Sequence, residues 1–413
     1  MSSHTSEAKV DLAAVQAPGF ESIRKIALIA GAAGLVGALA LALLQEGGMR
    51  HLQFSWLWAC FYFVTLGLGA LFFILLHHLT RAGWSVVVRR LAEHVASALP
   101  VAMLLLLPVV ILPLLGNGEL FPWADAERVK ESHLIAGKTG FLNGSFFLIR
   151  FVVYLVIWGG MVRFFKKRSL AQDTDGDAMH TVIMQRRSAP GMFLFALSLT
   201  FASFDFIMSL DPEWFSTMFG VYVFGGAFVS FMSLLGLISL RAEKSSLKGL
   251  VNEEHYHDIG KLMFAFIFFW GYIAFSQFVL IWYADIPEET LWFSHRMFGP
   301  FASISWILIF GHILIPFLGL LSRHVKRNRF GLKFWAIWIL VMHAVDLFWL
   351  IMPSYLIVPG ADHPSLYFPL MEICCWVSVA GIFAYAALGS AANKPLVPVK
   401  DPRLAESLAF ENI

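Results

Sequence analysis

Cysteine is nearly absent: Cys60, Cys374 and Cys375 are the only three, and they form neither a CxxC pair nor a CxxCH haem-attachment motif. Iron–sulfur clusters and c-type haem are held through such cysteines, so the chain lacks protein ligands for either. Charge is also scarce, with Asp, Glu, Lys and Arg making up 14% of 413 residues against 58% hydrophobic residues and 40 phenylalanines. No water-soluble core needs that much apolar surface. Long polar stretches are missing as well. The longest breaks between apolar runs are 116–140 and 164–189, the second containing the acidic Asp173-Thr174-Asp175-Gly176-Asp177, and both are too short to fold around a core of their own. The first 25 residues lack a short cationic region running into an apolar stretch. A cleaved leader is therefore not expected, although Ala40-Leu41-Ala42 has the small-residue spacing of a cleavage site.

What is abundant is the apolar run long enough to cross a bilayer, which takes about 20 residues for about 30 Å of hydrocarbon. Spans are expected near 26–44, 55–79, 95–115, 141–163, 190–210, 217–240, 259–283, 296–321, 333–352 and 367–390. Only helices or closed barrels satisfy the backbone in lipid, and these runs are too long and too uniformly apolar for barrel strands. The fold class is all-α: a polytopic membrane protein of about ten transmembrane helices, with a segment 1–25, a membrane domain 26–390 and a tail 391–413. Basic residues set the orientation, because cytoplasmic loops hold the excess. Outside the spans, only Arg50, Arg128, Lys130, Lys138 and Arg296 of the 30 Lys and Arg fall on the side opposite the N-terminus. Both termini are therefore expected in the cytoplasm.

A weak internal repeat appears at the ends of two spans. Six residues separate Asp205 from Pro212, and six separate Asp346 from Pro353, an Asp-x6-Pro ending in each case. The fifth and ninth spans are four apart and so parallel, as two tandem four-helix bundles near 55–210 and 217–352 with flanking helices would give.

Ionisable groups inside hydrocarbon are costly and mark proton or ligand paths. Ser198, Ala202, Asp205 and Ser209 lie on one face of the fifth span. On the ninth, His343 and Asp346 are three residues apart, close enough to share a proton. Glu372 lies early in the tenth span, so three carboxyl groups are expected in the outer third. Arg150 is the one cation deep in a span, with Asp205 the natural partner one helix away. His312 and Ser305 on the eighth span, and Tyr272, Ser276, Gln277 and Tyr283 on the seventh, are candidates to connect the inner side to these carboxyls. Buried polar residues also serve as interhelical hydrogen-bond glue, and that reading stands beside the functional one. His77 and His78 read as interfacial, and Trp56, Trp58, Trp123, Trp214 and Trp292 as belt residues. Only His312 and His343 are deep enough for a b-type haem, which needs a facing pair at matched depth, so none is expected. No metal site and no nucleic-acid partner are expected.

The run Ser203-Phe204-Asp205-Phe206-Ile207-Met208-Ser209-Leu210-Asp211-Pro212-Glu213-Trp214-Phe215-Ser216-Thr217-Met218-Phe219-Gly220-Val221-Tyr222, within a ten-span layout, resembles the ActF family of membrane subunits of bacterial alternative complex III. That family resembles in turn the NrfD and PsrC membrane anchors, built from two four-helix bundles plus extra helices. The resemblance implies a subunit of a quinol:electron-acceptor oxidoreductase in the bacterial inner membrane, delivering electrons to a cytochrome c or a high-potential iron–sulfur protein. It also implies no covalently bound cofactor and a possible association with quinone or menaquinone. Haem and iron–sulfur clusters would sit on partners: an ActC-like membrane subunit, an iron–sulfur/molybdopterin-like subunit and c-type cytochromes, with lipids around them. Asp205 lies inside the matching run. Asp205, His343, Asp346, Glu372, Arg150, His312, Ser209 and Gln277 are the expected proton path. Three other readings stay open: a quinone-binding anchor with His343 and Asp346 or Glu372 as general bases, a stand-alone secondary transporter, and a scaffold. Transporters of that kind usually have broken helices at the midplane, whereas prolines here cluster near helix ends except for Pro100, Pro108 and Pro113.

Overall fold

A computed structural model describes residues 15–356 and 369–412. Ten helices in it are long and apolar enough to cross a membrane: α1 Glu21–Leu44, α2 Gly48–Leu79, α3 Val86–Leu115, α4 Gly144–Asp175, α5 Met179–Leu210, α6 Phe219–Ala242, α7 Glu253–Ala284, α8 Gly299–Leu321, α9 Arg329–Leu356 and α10 Leu370–Ala391. Among the described residues the only β-pairing is a single bridge, Gln16 to Pro395. The protein is an all-α multi-pass membrane protein. The expected start of the tenth span, at 367, lies outside the described residues.

Most helices outrun their apolar stretches. α2, α4 and α7 each hold 32 residues, about 48 Å at 1.5 Å per residue, well beyond the hydrocarbon. The segment 164–189, read from sequence as a loop, is instead the joined ends of α4 and α5. The chain reverses at Gly176, whose φ of 73° suits a residue without a Cβ. The segment 116–140 folds into short helical pieces, among them Ala126–Glu131, capped by the Asp125 side chain on Glu127 N.

Proline shapes α3. Pro100, Pro108 and Pro113 each open a new short helical piece, and where the ladder loosens, Leu105 O accepts a hydrogen bond from Trp56 Nε1 at 2.8 Å. In α8, Leu308–Leu314 is π-helical just before Pro316, which cannot donate to the ladder. The Gly311 carbonyl there accepts from Trp338 Nε1 at 2.7 Å.

α2, α3, α4 and α5 pack as one ring and α6, α7, α8 and α9 as another, with α2 and α6 against each other between them. That central contact is backbone-close, since a Cβ on Gly69 would lie 2.3 Å from Ala227 O. α1 packs on α10 and α2. At the α1–α10 contact a Cβ on Gly34 would lie 2.7 Å from Cys374 O, and one on Gly381 2.3 Å from Ala27 O.

The basic end is closed by the C-terminal tail. Leu396 N donates to Val15 O, Ser407 Oγ to Trp84 O at 2.6 Å, and Asn252 Nδ2 to Phe410 O at 3.0 Å. Beneath the tail the first turns of α3 are wholly buried. Arg90 there meets Glu93 at 2.9 Å and Asp173 at 2.8 Å, and Arg89 pairs with Asp401.

Several surface readings are overturned. His77 and His78 are buried rather than interfacial, His77 against Phe73 and Trp84 and His78 against Phe165. Trp123, Trp214 and Trp292 are buried too. Trp214 stacks on Trp292 with centroids 4.1 Å apart, so these rings fill a protein interior and form no lipid belt. Tyr272 and Tyr283 are exposed on α7 and line no interior path.

Candidate functional site

Three buried polar clusters lie in the bundles. The first joins α4 to α5. Arg150 Nη2 donates to Asp205 Oδ1 at 2.7 Å and Nε to Oδ2 at 2.8 Å, and the Tyr154 hydroxyl donates to Oδ2 at 2.6 Å. Arg150 Nη1 donates to Phe141 O at 2.8 Å, and the guanidinium lies 3.9 Å from the Phe141 ring and 4.4 Å from that of Phe146. A guanidinium keeps its charge, so the pair is a balanced, bidentate ion pair with its acceptors filled. Ser209 Oγ donates to the Asp205 backbone carbonyl at 2.6 Å, which fastens the helix end and leaves the carboxylate alone. Ser198 accepts from Trp158 Nε1 at 2.8 Å.

The second cluster lies where α2, α6, α7, α8 and α9 meet. The Thr65 hydroxyl donates to Tyr62 O at 2.7 Å, so its oxygen must accept from His343 Nε2 at 2.9 Å. That assigns the His343 proton to Nε2 and leaves Nδ1 as a bare lone pair, without a hydrogen-bond partner and 4.0 Å from Asp346 Oδ2. The other Asp346 oxygen, Oδ1, accepts from the Tyr222 hydroxyl. At 4.0 Å the two atoms stand beyond direct hydrogen-bond distance, so a proton passes between the acid and the imidazole only after a small shift of either side chain. Gly226 makes the space, since a Cβ there would stand 3.1 Å from the His343 ring. Tyr222 contacts Trp270, and Trp270 stacks on His312 with centroids 4.0 Å apart. His312 is fully buried in the π-helical turn, and neither ring nitrogen has a hydrogen-bond partner.

The third cluster is Glu372 with His51, Oε1 to Nε2 at 2.8 Å, and the His51 ring stacks on Tyr355. The Arg50 guanidinium lies over the other side of this group, 5.3 Å from the Tyr355 ring. Glu372 also lines an apolar cavity of about 420 Å³ walled by Trp58, Phe301, Ile304 and Phe348. Gln277 stands apart: its Oε1 accepts from Ser216 Oγ at 2.9 Å, and it lines a separate apolar cavity of about 290 Å³ with Tyr222 and Trp270.

At the helix ends opposite the C-terminal tail lies a polar cavity of about 160 Å³, lined by Arg50, Glu119, Arg128, Asp211, His295 and Arg296. Arg296 closes it by donating to Trp349 O, Leu350 O and Trp292 O at 3.0–3.2 Å, with its guanidinium 3.6 Å from the Trp292 ring. Burial lowers the pKa of Arg296, and the Asp211 charge opposes that fall. Burial raises the pKa of Asp211, opposed by Arg296 and then His295. His295 is pushed down by burial and by the charge on Arg296.

Among the described residues no group of three or more His, Cys, Asp or Glu side chains converges to hold a metal ion. No protein-family model matches the chain, and no curated protein matches it.

Sequence reasoning missed His51, Thr65, Tyr154 and Tyr222. Tyr154 follows Arg150 by four residues, and Tyr222 ends the quoted 203–222 run, so both carried a spacing signal. His51 falls before the span expected from 55, whereas α2 begins at Gly48. The Arg89–Asp401 pair gives no local signal, as its members lie 312 residues apart.

Proposed function

We propose that this chain is an integral membrane subunit of a quinol:electron-acceptor oxidoreductase of the alternative complex III type, and that it moves protons through its buried polar groups. The observation that carries the reading is the bare His343 Nδ1, which faces Asp346 Oδ2 across 4.0 Å in the buried interior. A histidine and a carboxylic acid placed so close can pass a proton between them after a small side-chain shift, one accepting as the other releases. Tyr222 orients the acid, and Trp270 and His312 continue the cluster along α7 and α8. Asp205 serves differently, as the anchored partner of Arg150. Quinol oxidation itself, with its haem and iron–sulfur carriers, belongs to the partner subunits in this reading.

The location is the bacterial inner membrane with both termini in the cytoplasm. Gln16 pairs with Pro395, so the start of the described residues meets the C-terminal tail at one face, and the excess of basic residues there supports this orientation.

Asp346→Asn in the assembled complex tests the relay. In proteoliposomes, quinol-driven proton movement falls by about 10²-fold, the scale of a lost proton-transfer group, while the subunits still copurify. An unchanged ratio of protons moved to electrons transferred would remove the relay role.

A second reading, quinone binding at Glu372, is favoured by the His51–Glu372 pair at the rim of the 420 Å³ aromatic cavity. It predicts a quinone that copurifies with the chain and is lost in Glu372→Gln.

A further inference from the structure

At the basic end of the helices, a crevice of about 680 Å³ opens between the start of α1 and the inner ends of α3, α6 and α10. Its walls are apolar, formed by Ile23, Leu91, Val95, Leu237, Ile238 and Leu388. The crevice exists because α1 leans on α10 and α2. Two exposed charges stand on its lining, Arg241 in the last turn of α6 and Glu21 in the first turn of α1. Neither forms an ion pair or a side-chain hydrogen bond with any described residue.

An apolar wall with one cation and one anion at its mouth, at the depth where helices leave the hydrocarbon, matches the layout of a phospholipid. From this the geometry points to a bound glycerophospholipid whose acyl chains lie on the Leu91–Leu237–Leu388 wall, with its phosphate at Arg241 and a headgroup ammonium at Glu21. Acyl chains gain little by moving from bilayer to protein, so the headgroup decides selectivity. Arg241 offers the phosphate a planar, always-charged fork of donors. Glu21 would repel a headgroup that is only anionic and accepts hydrogen bonds from a primary amine. The fitting class is therefore amine-bearing and zwitterionic, phosphatidylethanolamine above phosphatidylglycerol. This site is independent of the proton-relay reading.

Native mass spectrometry of the full-length protein, washed in detergent and then offered each lipid in turn, tests it. One phosphatidylethanolamine per chain is retained, with about a tenfold preference over phosphatidylglycerol, the order of one charge-assisted contact. Arg241→Ala lowers retention of both lipids, and Glu21→Lys turns the preference toward phosphatidylglycerol. Both positions are exposed, and a monodisperse, helical profile confirms that each variant is folded. Leu237→Trp, which fills the wall while sparing both charges, also abolishes retention. Equal retention of the two lipids, no lipid retained, or a preference unmoved by Glu21→Lys would overturn the assignment.

Discussion

The two aspartates that close α5 and α9 look alike in sequence and differ in what holds them. Asp205 is gripped by Arg150 and Tyr154, with its acceptor positions filled, whereas Asp346 has one oxygen on Tyr222 and the other facing a bare imidazole nitrogen. Their variants should fail in different ways. Asp205→Asn leaves a buried guanidinium without its counter-charge, at a cost of about 3–5 kcal/mol, so thermal unfolding in detergent shifts down and folded yield drops. Asp346→Asn removes no partner charge, so its defect is in proton movement with folding close to normal. Gly226→Ala is a subtler probe. The added methyl meets the His343 ring at 3.1 Å, and the expected result is about 1 kcal/mol of lost stability together with slower proton transfer. A wild-type rate in Gly226→Ala would show that the His343 position is not critical. The Arg150–Asp205 pairing was legible in the sequence because two buried opposite charges on adjacent spans have few other partners. The tautomer of His343 was not, because it depends on Thr65, 278 residues away along the chain, and on the bond Thr65 makes to Tyr62 O.

At the scale of the element, hydropathy located all ten helices and misplaced their ends. It reports only the part of a helix that matches lipid, while backbone hydrogen bonding continues into polar sequence where tertiary contacts support it. α3 is the clearest case: Val86–Ala96 reads as a charged loop yet is completely buried, because the tail and α4 supply partners for its arginines. Close helix contacts give a direct test. Gly381→Val drives a side chain into the Ala27 carbonyl, and overpacking of this kind costs about 1–3 kcal/mol, read as a lower unfolding temperature. Another test lies at the basic end of α6, α7 and α9. Glu243 accepts from Arg329 Nη2 at 2.6 Å and from the Tyr256 hydroxyl at 2.9 Å, and the Arg329 hydrogen bonds, followed by that from Tyr256, hold its pKa below the usual 4.5 against the opposing effect of burial. A carboxyl with a lowered folded pKa stabilises above its unfolded value, and that stability fades as pH falls through the folded value. Glu243→Gln therefore lowers the unfolding temperature at neutral pH, and the difference from wild type closes below about pH 4.5. A difference independent of pH would show that the contact is not electrostatic.

Across the whole molecule, the helix order legible in the sequence becomes two rings sharing the α2–α6 contact, with one of the three buried polar clusters between them and α1 and α10 set against one flank. The tail locks this arrangement from the basic end, and Asp401→Ala tests the lock. Arg89 then keeps only its 3.9 Å contact with Glu93, for a loss of up to about 3–5 kcal/mol measured by thermal unfolding, with a milder loss in Asp401→Asn. That same pair sets a clock on biosynthesis. Arg150 waits only 55 residues for Asp205, but Arg89 leaves the ribosome 312 residues ahead of Asp401, roughly 15–60 s at ordinary elongation rates of about 5–20 residues per second. Throughout that interval Arg89 has only the 3.9 Å contact of its Nε with Glu93, a carboxylate it shares with Arg90. A chain cut short before residue 401 loses this contact and the tail's hydrogen bonds to Trp84 and Asn252, which leaves truncated copies open to proteolysis at that face.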